Sequence, residues 1–295
     1  KREDRFREGM VEGEMMWPSS LLPAVLYQLP ESAFVTAMCV VSFASLAFAG
    51  LSELRGDHLA YSKFWHVVSG QQKRSVAAAG ALLSGRTGML VAYVPALVAA
   101  AVSFAVPGAV QGQRAQILAA ALAVHFLRRV LEVLFIHRYS GNMPLNTALP
   151  ISSSYLLITI TMIYAQHLAI GLPEPPTDLL YVGVLLFTVG IAGNFYHHYL
   201  LSKLRKGGND EKGYKIPKGG LFELVTCPHY LFEITGFFGF AMISPTIYAL
   251  AMASGTAVYL VGRSFATKRW YKSKFEDFPV RIKLWCPISC DELGY

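Results

Sequence analysis

Residues 179–205 read Leu179-Leu-Tyr-Val-Gly-Val-Leu-Leu-Phe-Thr-Val-Gly-Ile-Ala-Gly-Asn-Phe-Tyr-His-His-Tyr-Leu-Leu-Ser-Lys-Leu-Arg205. The apolar part is long enough for a helix across ~30 Å of hydrocarbon, which takes about 20 residues. Its second half then sets Asn194, His198, Leu201 and Arg205 three to four residues apart, the spacing that keeps side chains on one helical face. Polar groups in lipid are costly and usually line a cavity. This stretch therefore reads as a membrane helix that turns one face toward a binding site.

Comparable apolar runs occupy 33–52, 87–106, 115–136, 150–170, 224–243 and 246–265, giving seven with the one quoted. The expectation is an all-α, polytopic membrane protein of seven transmembrane helices, or of six if the 115–136 run lies shallow. Composition agrees: 54% of residues are hydrophobic and 15% charged, against about a quarter charged in soluble domains. Mean hydropathy is +0.40.

Lys and Arg number five in 53–86, one in 107–114, none in 171–178, six in 202–220, none at 244–245 and seven from 263 onward. The alternation follows the positive-inside rule and predicts a cytosolic C-terminus. Four basic residues in 1–8 run against that pattern. Residues 1–31 carry no signal-peptide core, since Pro18, Pro23 and Pro30 break the apolar stretch. The net charge of +7 falls in these loops and not on a soluble stripe, so it suits anionic lipid and not nucleic acid. Cys39, Cys227, Cys286 and Cys290 form no CxxC pair, which argues against disulfides and structural zinc.

The chain divides into a tail (1–31), four helices on a substrate side (32–175) and a C-terminal region (176–295). A cytosolic loop at 53–86 is expected to hold an interfacial helix with Phe64 and Trp65. The loop at 206–220, with Gly207-Gly208 and Gly219-Gly220, reads as a turn before a re-entering helix.

Four constellations carry chemistry. His125, Arg129 and Glu132, at i, i+4 and i+7, share a face with Arg128 nearby; they are either a structural ion pair or a polar cavity wall. Gly193-Asn-Phe-Tyr-His-His-Tyr precedes Arg205, a residue suited to phosphate. The adjacent His197 and His198 point about 100° apart on a helix, and the eight histidines lack the repeated boxes of a membrane di-iron site, so no metal is expected. In Cys227-Pro-His-Tyr-Leu-Phe-Glu, His229 and Glu233 share a face. Glu233 is a hydrogen-bond acceptor for an amide or ribose, or else a packing partner of Arg263. Finally, Gly262-Arg-Ser-Phe-Ala-Thr-Lys-Arg-Trp-Tyr interleaves cations with aromatics, a pattern for lipid headgroups or for an adenine and its phosphates.

These motifs resemble the steroid 5α-reductase family, which also contains trans-2-enoyl-CoA and polyprenol reductases. The resemblance covers about residues 180–279. It rests on Gly193-Asn194, Leu204-Arg205-Lys206, Tyr214-Lys-Ile-Pro-Lys-Gly-Gly-Leu-Phe-Glu-Leu-Val, Glu233, Gly262-Arg-Ser-Phe and Trp270-Tyr-Lys-Ser-Lys-Phe-Glu-Asp-Phe-Pro. A looser match runs back through Gly85-Arg-Thr-Gly-Met and His125. Leu131-Glu-Val-Leu and Phe135-Ile-His-Arg-Tyr-Ser look more like the enoyl-CoA reductases, and the whole looks like a plant member.

The resemblance implies a multi-pass enzyme of the endoplasmic reticulum that uses NADPH to reduce a carbon–carbon double bond conjugated to a carbonyl. The lipid substrate is an enoyl-CoA, a sterol or a polyprenal, with a fatty acid elongation complex as partner in the first case. It places Asn194, Arg205, Tyr214, Lys215, His229, Glu233, Arg263 and Tyr271 at cofactor-binding positions, His229 standing where the family has Asn. Two catalytic positions depart. The family's Tyr after the histidine is Phe126, and its Glu on the second helix is Tyr93. Either the phenol has crossed the cavity, with Tyr93 as oxyanion donor and His125 assisting, or the usual chemistry is lost. An isoprenylcysteine-type methyltransferase and a non-catalytic lipid binder are the other classes considered. The tail Leu284-Trp-Cys-Pro-Ile-Ser-Cys-Asp-Glu-Leu-Gly-Tyr also departs from the family's short apolar ending.

Overall fold

Every one of the seven apolar runs is built as a helix in the computed structural model, which describes residues 21–58, 81–139, 141–204, 215–279 and 281–284. The 59–80 stretch, where the interfacial helix with Phe64 and Trp65 was expected, lies outside them, as does 285–295. A short α1 (Leu21–Val25) precedes α2 (Ala33–Arg55), α3 (Gly85–Val102), α4 (Gly112–Leu131), α5 (Leu145–His167), α6 (Leu180–Lys203), α7 (Pro228–Ile243) and α8 (Ile247–Lys274). Four of these, α2, α3, α5 and α6, are long and apolar enough to cross a membrane by length and composition alone. Helix α4 carries Arg114, Arg128 and Arg129, and α7 has only 16 residues.

The architecture is not purely helical. Strands β1 (Leu82–Ser84) and β2 (Asn142–Pro144) pair antiparallel, Leu83 opposite Met143. The pairing ties the start of α3 to the start of α5, and Gly85 N–H donates to the Gly141 carbonyl at 2.9 Å. Between α4 and β2, Glu132–Ile136 forms a π turn, closed where His137 N–H reaches the Glu132 carbonyl at 2.7 Å. Such widened turns recur at functional sites because they redirect side chains that a regular helix would fan apart. Here the turn brings His137 back over Glu132.

Two helix pairs pack through glycine. On α6 and α7, a Cβ added at Gly190 would lie 2.5 Å from the Gly236 nitrogen. On α2 and α8, a Cβ at Gly262 would lie 2.3 Å from the Gly50 carbonyl oxygen. Small residues let backbones approach where lipid supplies no hydrophobic drive for association. The apolar run at 224–243 becomes a helix only from Pro228, which stands in its first turn, where a missing N–H costs nothing. Before it lies the 3-10 turn Gly220–Glu223, entered through Gly219 and Gly220 at φ +87° and +55°.

Phe48, Phe135, Tyr181 and Leu185 point outward, while Tyr93, Leu118, Phe126, Phe240, Tyr248 and Met252 fill the interior. Away from the strands and π turn, the opposite end of the bundle is closed by Arg114. It donates to the Ile243 carbonyl at 3.0 Å and pairs with Glu174 at 2.9 Å and Asp178 at 2.8 Å.

Candidate active site

At the C-terminal end of α4, His125, Arg128 and Arg129, with Glu132 of the π turn, are turned inward. They meet α3, α6 and α7 in one buried network. Arg129 donates to Glu132 Oε2 at 3.0 Å through Nη1 and to the Tyr93 phenol oxygen at 2.5 Å through Nη2. Arg128 donates to Glu132 Oε1 at 3.0 Å, to Asn194 Oδ1, and to Glu233 Oε2 at 3.4 Å. His198 Nδ1 lies 3.1 Å from Glu132 Oε2. Two guanidinium groups thus face two carboxylates. Charges removed from water need this kind of pairing, because an unmatched one is strongly destabilising.

Glu132 is 1% exposed and fully engaged. With His137 and His198 it forms a set of ligand atoms within 4.8 Å of one another. Arg128 and Arg129 already balance that carboxylate at 3.0 Å each, so a dication placed there would face two guanidinium groups.

Glu233 is held differently. Its carboxylate lies 3.4 Å from Arg128 and 3.7 Å from His125 Nε2, and 19% of its side chain is exposed. It is the loosest acceptor of the network, and the Arg128 Nε beside it is buried with no acceptor among the described residues. Asn194 is used twice over, its Oδ1 by Arg128 and its Nδ2 by the His229 carbonyl at 2.7 Å. The sequence alternative that tied Glu233 to Arg263 is replaced by the Arg128 contact, since Arg128 projects from the facing helix.

Arg263 belongs to a second buried group. It donates to Glu53 Oε1 at 2.5 Å and to the Tyr230 hydroxyl at 3.2 Å. Glu53 Oε2 also meets His58 Nδ1 at 2.6 Å. The Gly50–Gly262 crossing one turn away makes this pairing geometrically available. Tyr271 is buried and stacks on Phe278, ring planes 2° apart. His229 packs beside Tyr230, with ring centroids 4.2 Å apart. Lys215 is exposed, and Arg205 and Tyr214 lie outside the described residues.

On the catalytic side, Tyr93 and His125 are both buried on adjacent helices. The His125 ring sits among Phe126, Phe237 and Phe240 at 5.0–5.9 Å. Phe126 packs on Tyr155 of α5 at 5.6 Å, and Tyr155 lies 5.3 Å from the Tyr93 ring. Tyr155 is a second phenol that sequence reasoning missed, because a lone Tyr in an apolar run gives no signal. Glu53 was missed as an ordinary charge at a helix end. Arg128, named beside the face of its helix but not assigned a role, reaches both α6, through Asn194, and α7, through Glu233.

A mostly helical chain with four membrane-length helices and a buried, charge-matched polar network among its helices has the build of a membrane protein with a polar interior site. Comparison with known proteins gives the family. The family model described as 3-oxo-5-alpha-steroid 4-dehydrogenase matches residues 143–289. The bovine (Bos taurus) 3-oxo-5-alpha-steroid 4-dehydrogenase 1 is 33% identical over 177 residues, 58% of this chain and 67% of that protein. The very-long-chain enoyl-CoA reductase of Dictyostelium discoideum is 33% identical over 172 residues, 56% and 55% of the two chains. The steroid 5-alpha-reductase DET2 of Gossypium hirsutum is 42% identical over 95 residues, 32% and 36%. The chain belongs to the steroid 5α-reductase family. It spans little more than half the length of the Dictyostelium relative and about two thirds of the mammalian one.

Proposed function

We propose that the protein is an NADPH-dependent reductase of the endoplasmic reticulum membrane. In this reading it spans the bilayer seven times with its C-terminus in the cytosol, and it saturates a carbon–carbon double bond conjugated to a carbonyl in a lipid. The observation that carries the reading is the Tyr93 phenol, buried and held by Arg129 at 2.5 Å. The relatives named above, steroid dehydrogenases and an enoyl-CoA reductase, support the same reaction class.

When bound, the cofactor supplies a hydride to the β-carbon of the conjugated bond, and a proton taken up at the α-carbon completes the reduction. The residues present fit such a cofactor. Glu233 is a carboxylate held only loosely by Arg128, and the buried Arg128 Nε has no acceptor among the described residues. With them, Asn194, Arg205, Tyr214, Lys215, His229, Arg263 and Tyr271 would hold it.

The protein's own part is electrostatic. Negative charge grows on the substrate's carbonyl oxygen, and a preorganised donor in a dry site stabilises it far more than water would. Arg129 donates to the Tyr93 oxygen, and a hydroxyl polarised in this way is a stronger donor. His125, buried on the next helix and walled by three phenylalanines, is the proposed assistant to this donor.

Purified protein in detergent decides between the classes. NADPH is expected to raise the melting temperature and to be consumed with an enone or enoyl thioester. Stabilisation by S-adenosylmethionine instead would make it a methyltransferase, and stabilisation by neither a non-catalytic lipid binder.

A further inference from the structure

The adjacent histidines of α6 meet different partners. His198 turns toward Glu132, whereas His197, 3% exposed, turns toward the Gly220–Glu223 turn. Both ring nitrogens of His197 are engaged, by groups of opposite kind. Nδ1 lies 2.7 Å from the Gly193 carbonyl, an acceptor. Nε2 lies 3.2 Å from the Leu221 backbone N–H, a donor. The ring therefore carries its hydrogen on Nδ1 and is neutral, since an imidazolium has N–H groups at both positions and no lone pair for Leu221. Phe232 of α7 fixes the ring plane, stacked at 5.2 Å and 21° from parallel. It reaches that place because Gly193 has no side chain: a Cβ there would lie 2.3 Å from the phenylalanine ring.

The turn that His197 holds is a joint. Lys215 precedes it, and His229 and Glu233 follow it on α7, so it sets two parts of the proposed cofactor site against each other. It is a single 3-10 turn, a geometry with poor internal hydrogen bonds. Gly220 passes so close to the imidazole that an added Cβ would lie 2.9 Å from Nε2. Phe222, 2% exposed, packs on the His197 ring at 5.4 Å and on the His229 ring at 6.0 Å. Just past the turn, Lys283 N–H donates to the Leu224 carbonyl at 2.9 Å, and Thr226 N–H to the Lys283 carbonyl at 3.0 Å. The turn is thus braced on the C-terminal segment as well as on α6.

We propose that His197 is a positioning residue: its neutral imidazole pins the Gly220–Glu223 turn to α6 and so aligns Lys215 with His229 and Glu233 around the cofactor. The cofactor in that statement rests on the reductase reading above; the pinning rests on the two hydrogen bonds. Tyr93 and His125 belong to α3 and α4, so the effect falls on cofactor binding and not on the oxyanion donor.

The test compares the full chain in detergent with His197→Phe, which keeps a stacking ring, and His197→Gln, whose side-chain oxygen can take the place of Nε2. In the ligand-free wild type, amide exchange across Gly219–Leu224 is expected to be slow. It should be about tenfold faster in His197→Phe and close to the wild type in His197→Gln. Calorimetry should give His197→Phe an NADPH Kd about five- to tenfold higher, the loss of one hydrogen bond, with His197→Gln again restoring it. The KM for NADPH should rise in step, while kcat on an enone or enoyl thioester stays within about twofold. Fast exchange in the wild type overturns the proposal. So does an NADPH affinity unchanged in His197→Phe, or a His197→Gln variant as weak as His197→Phe. A wild type that binds no NADPH, with exchange of the turn still set by the residue at 197, upholds the pinning and sinks the reductase reading instead.

Discussion

Arg129 and Tyr93, 36 residues apart on neighbouring helices, are joined by a 2.5 Å hydrogen bond in which the guanidinium donates to the phenol oxygen. Phe126, where the resemblance expects a Tyr, packs on Tyr155 at 5.6 Å, and Tyr93 lies one ring beyond at 5.3 Å; the Arg129 bond is what singles out Tyr93 as the proposed donor. Tyr93→Phe keeps the ring and its packing and removes only the hydroxyl. Loss of one oxyanion donor costs about 10²–10³ in kcat. Turnover on an enone or enoyl thioester should fall by that order, with the KM for NADPH little changed. Unchanged turnover would move the role to another group, and Tyr155, 5.3 Å away ring to ring, is then the next phenol to test.

Glu132 is the hub of the same network, contacted by both guanidinium groups and by His198. Glu132→Ala leaves two buried cations sharing one loosely held carboxylate, Glu233. Breaking a buried pair by removing one partner costs about 3–5 kcal/mol. Unfolding in detergent should show a large loss for Glu132→Ala and a smaller one for Glu132→Gln, which keeps an acceptor oxygen. An alanine variant as stable as the wild type would mean that water already carries this site.

How much of this was legible beforehand follows from sequence distance. Arg129 and Glu132 lie three apart on one turn, so their pairing could be read from spacing. The seven apolar runs marked seven helices because length and hydropathy are local properties. The π turn was not legible, since nothing in Glu132–Ile136 distinguishes it from a continuing helix, and it alone brings His137 over Glu132. Nor was the Glu53–Arg263 pair, 210 residues apart and dependent on two glycines meeting. Asn194 was picked out by its polarity in a greasy helix, while its anchoring of Arg128 needed the α4–α6 packing. Spacing finds faces of helices; it does not find which faces meet.

That glycine crossing can be tested directly. A methyl group at position 262 would sit 2.3 Å from the Gly50 carbonyl oxygen, a backbone atom that cannot swing aside. Gly262→Ala must therefore separate α2 from α8, and overpacking of this kind costs about 1–3 kcal/mol. It should also break the Glu53–Arg263 bond. In a double-mutant cycle, Glu53→Gln is then expected to destabilise the wild type more than it destabilises Gly262→Ala. Equal effects in both backgrounds would uncouple the crossing from the ion pair.

The far end of the bundle predicts a pH dependence. Asp178 is held below the usual carboxylate range, first by the Leu180 backbone N–H and then by Arg114. A depressed native pKa favours the folded state as long as the carboxylate is ionised. The contribution is complete above the unfolded value, near pH 4, and disappears as pH falls through the lower folded value. Asp178 is more than half exposed, so solvent screens the pair and the effect is modest. Melting temperatures of wild type and Asp178→Asn in detergent should differ by a constant amount above about pH 4.5 and converge below it. A difference that persists undiminished to pH 2.5, or one that opens only at acid pH, would show that Asp178 does not lock Arg114 across the ends of α4 and α7.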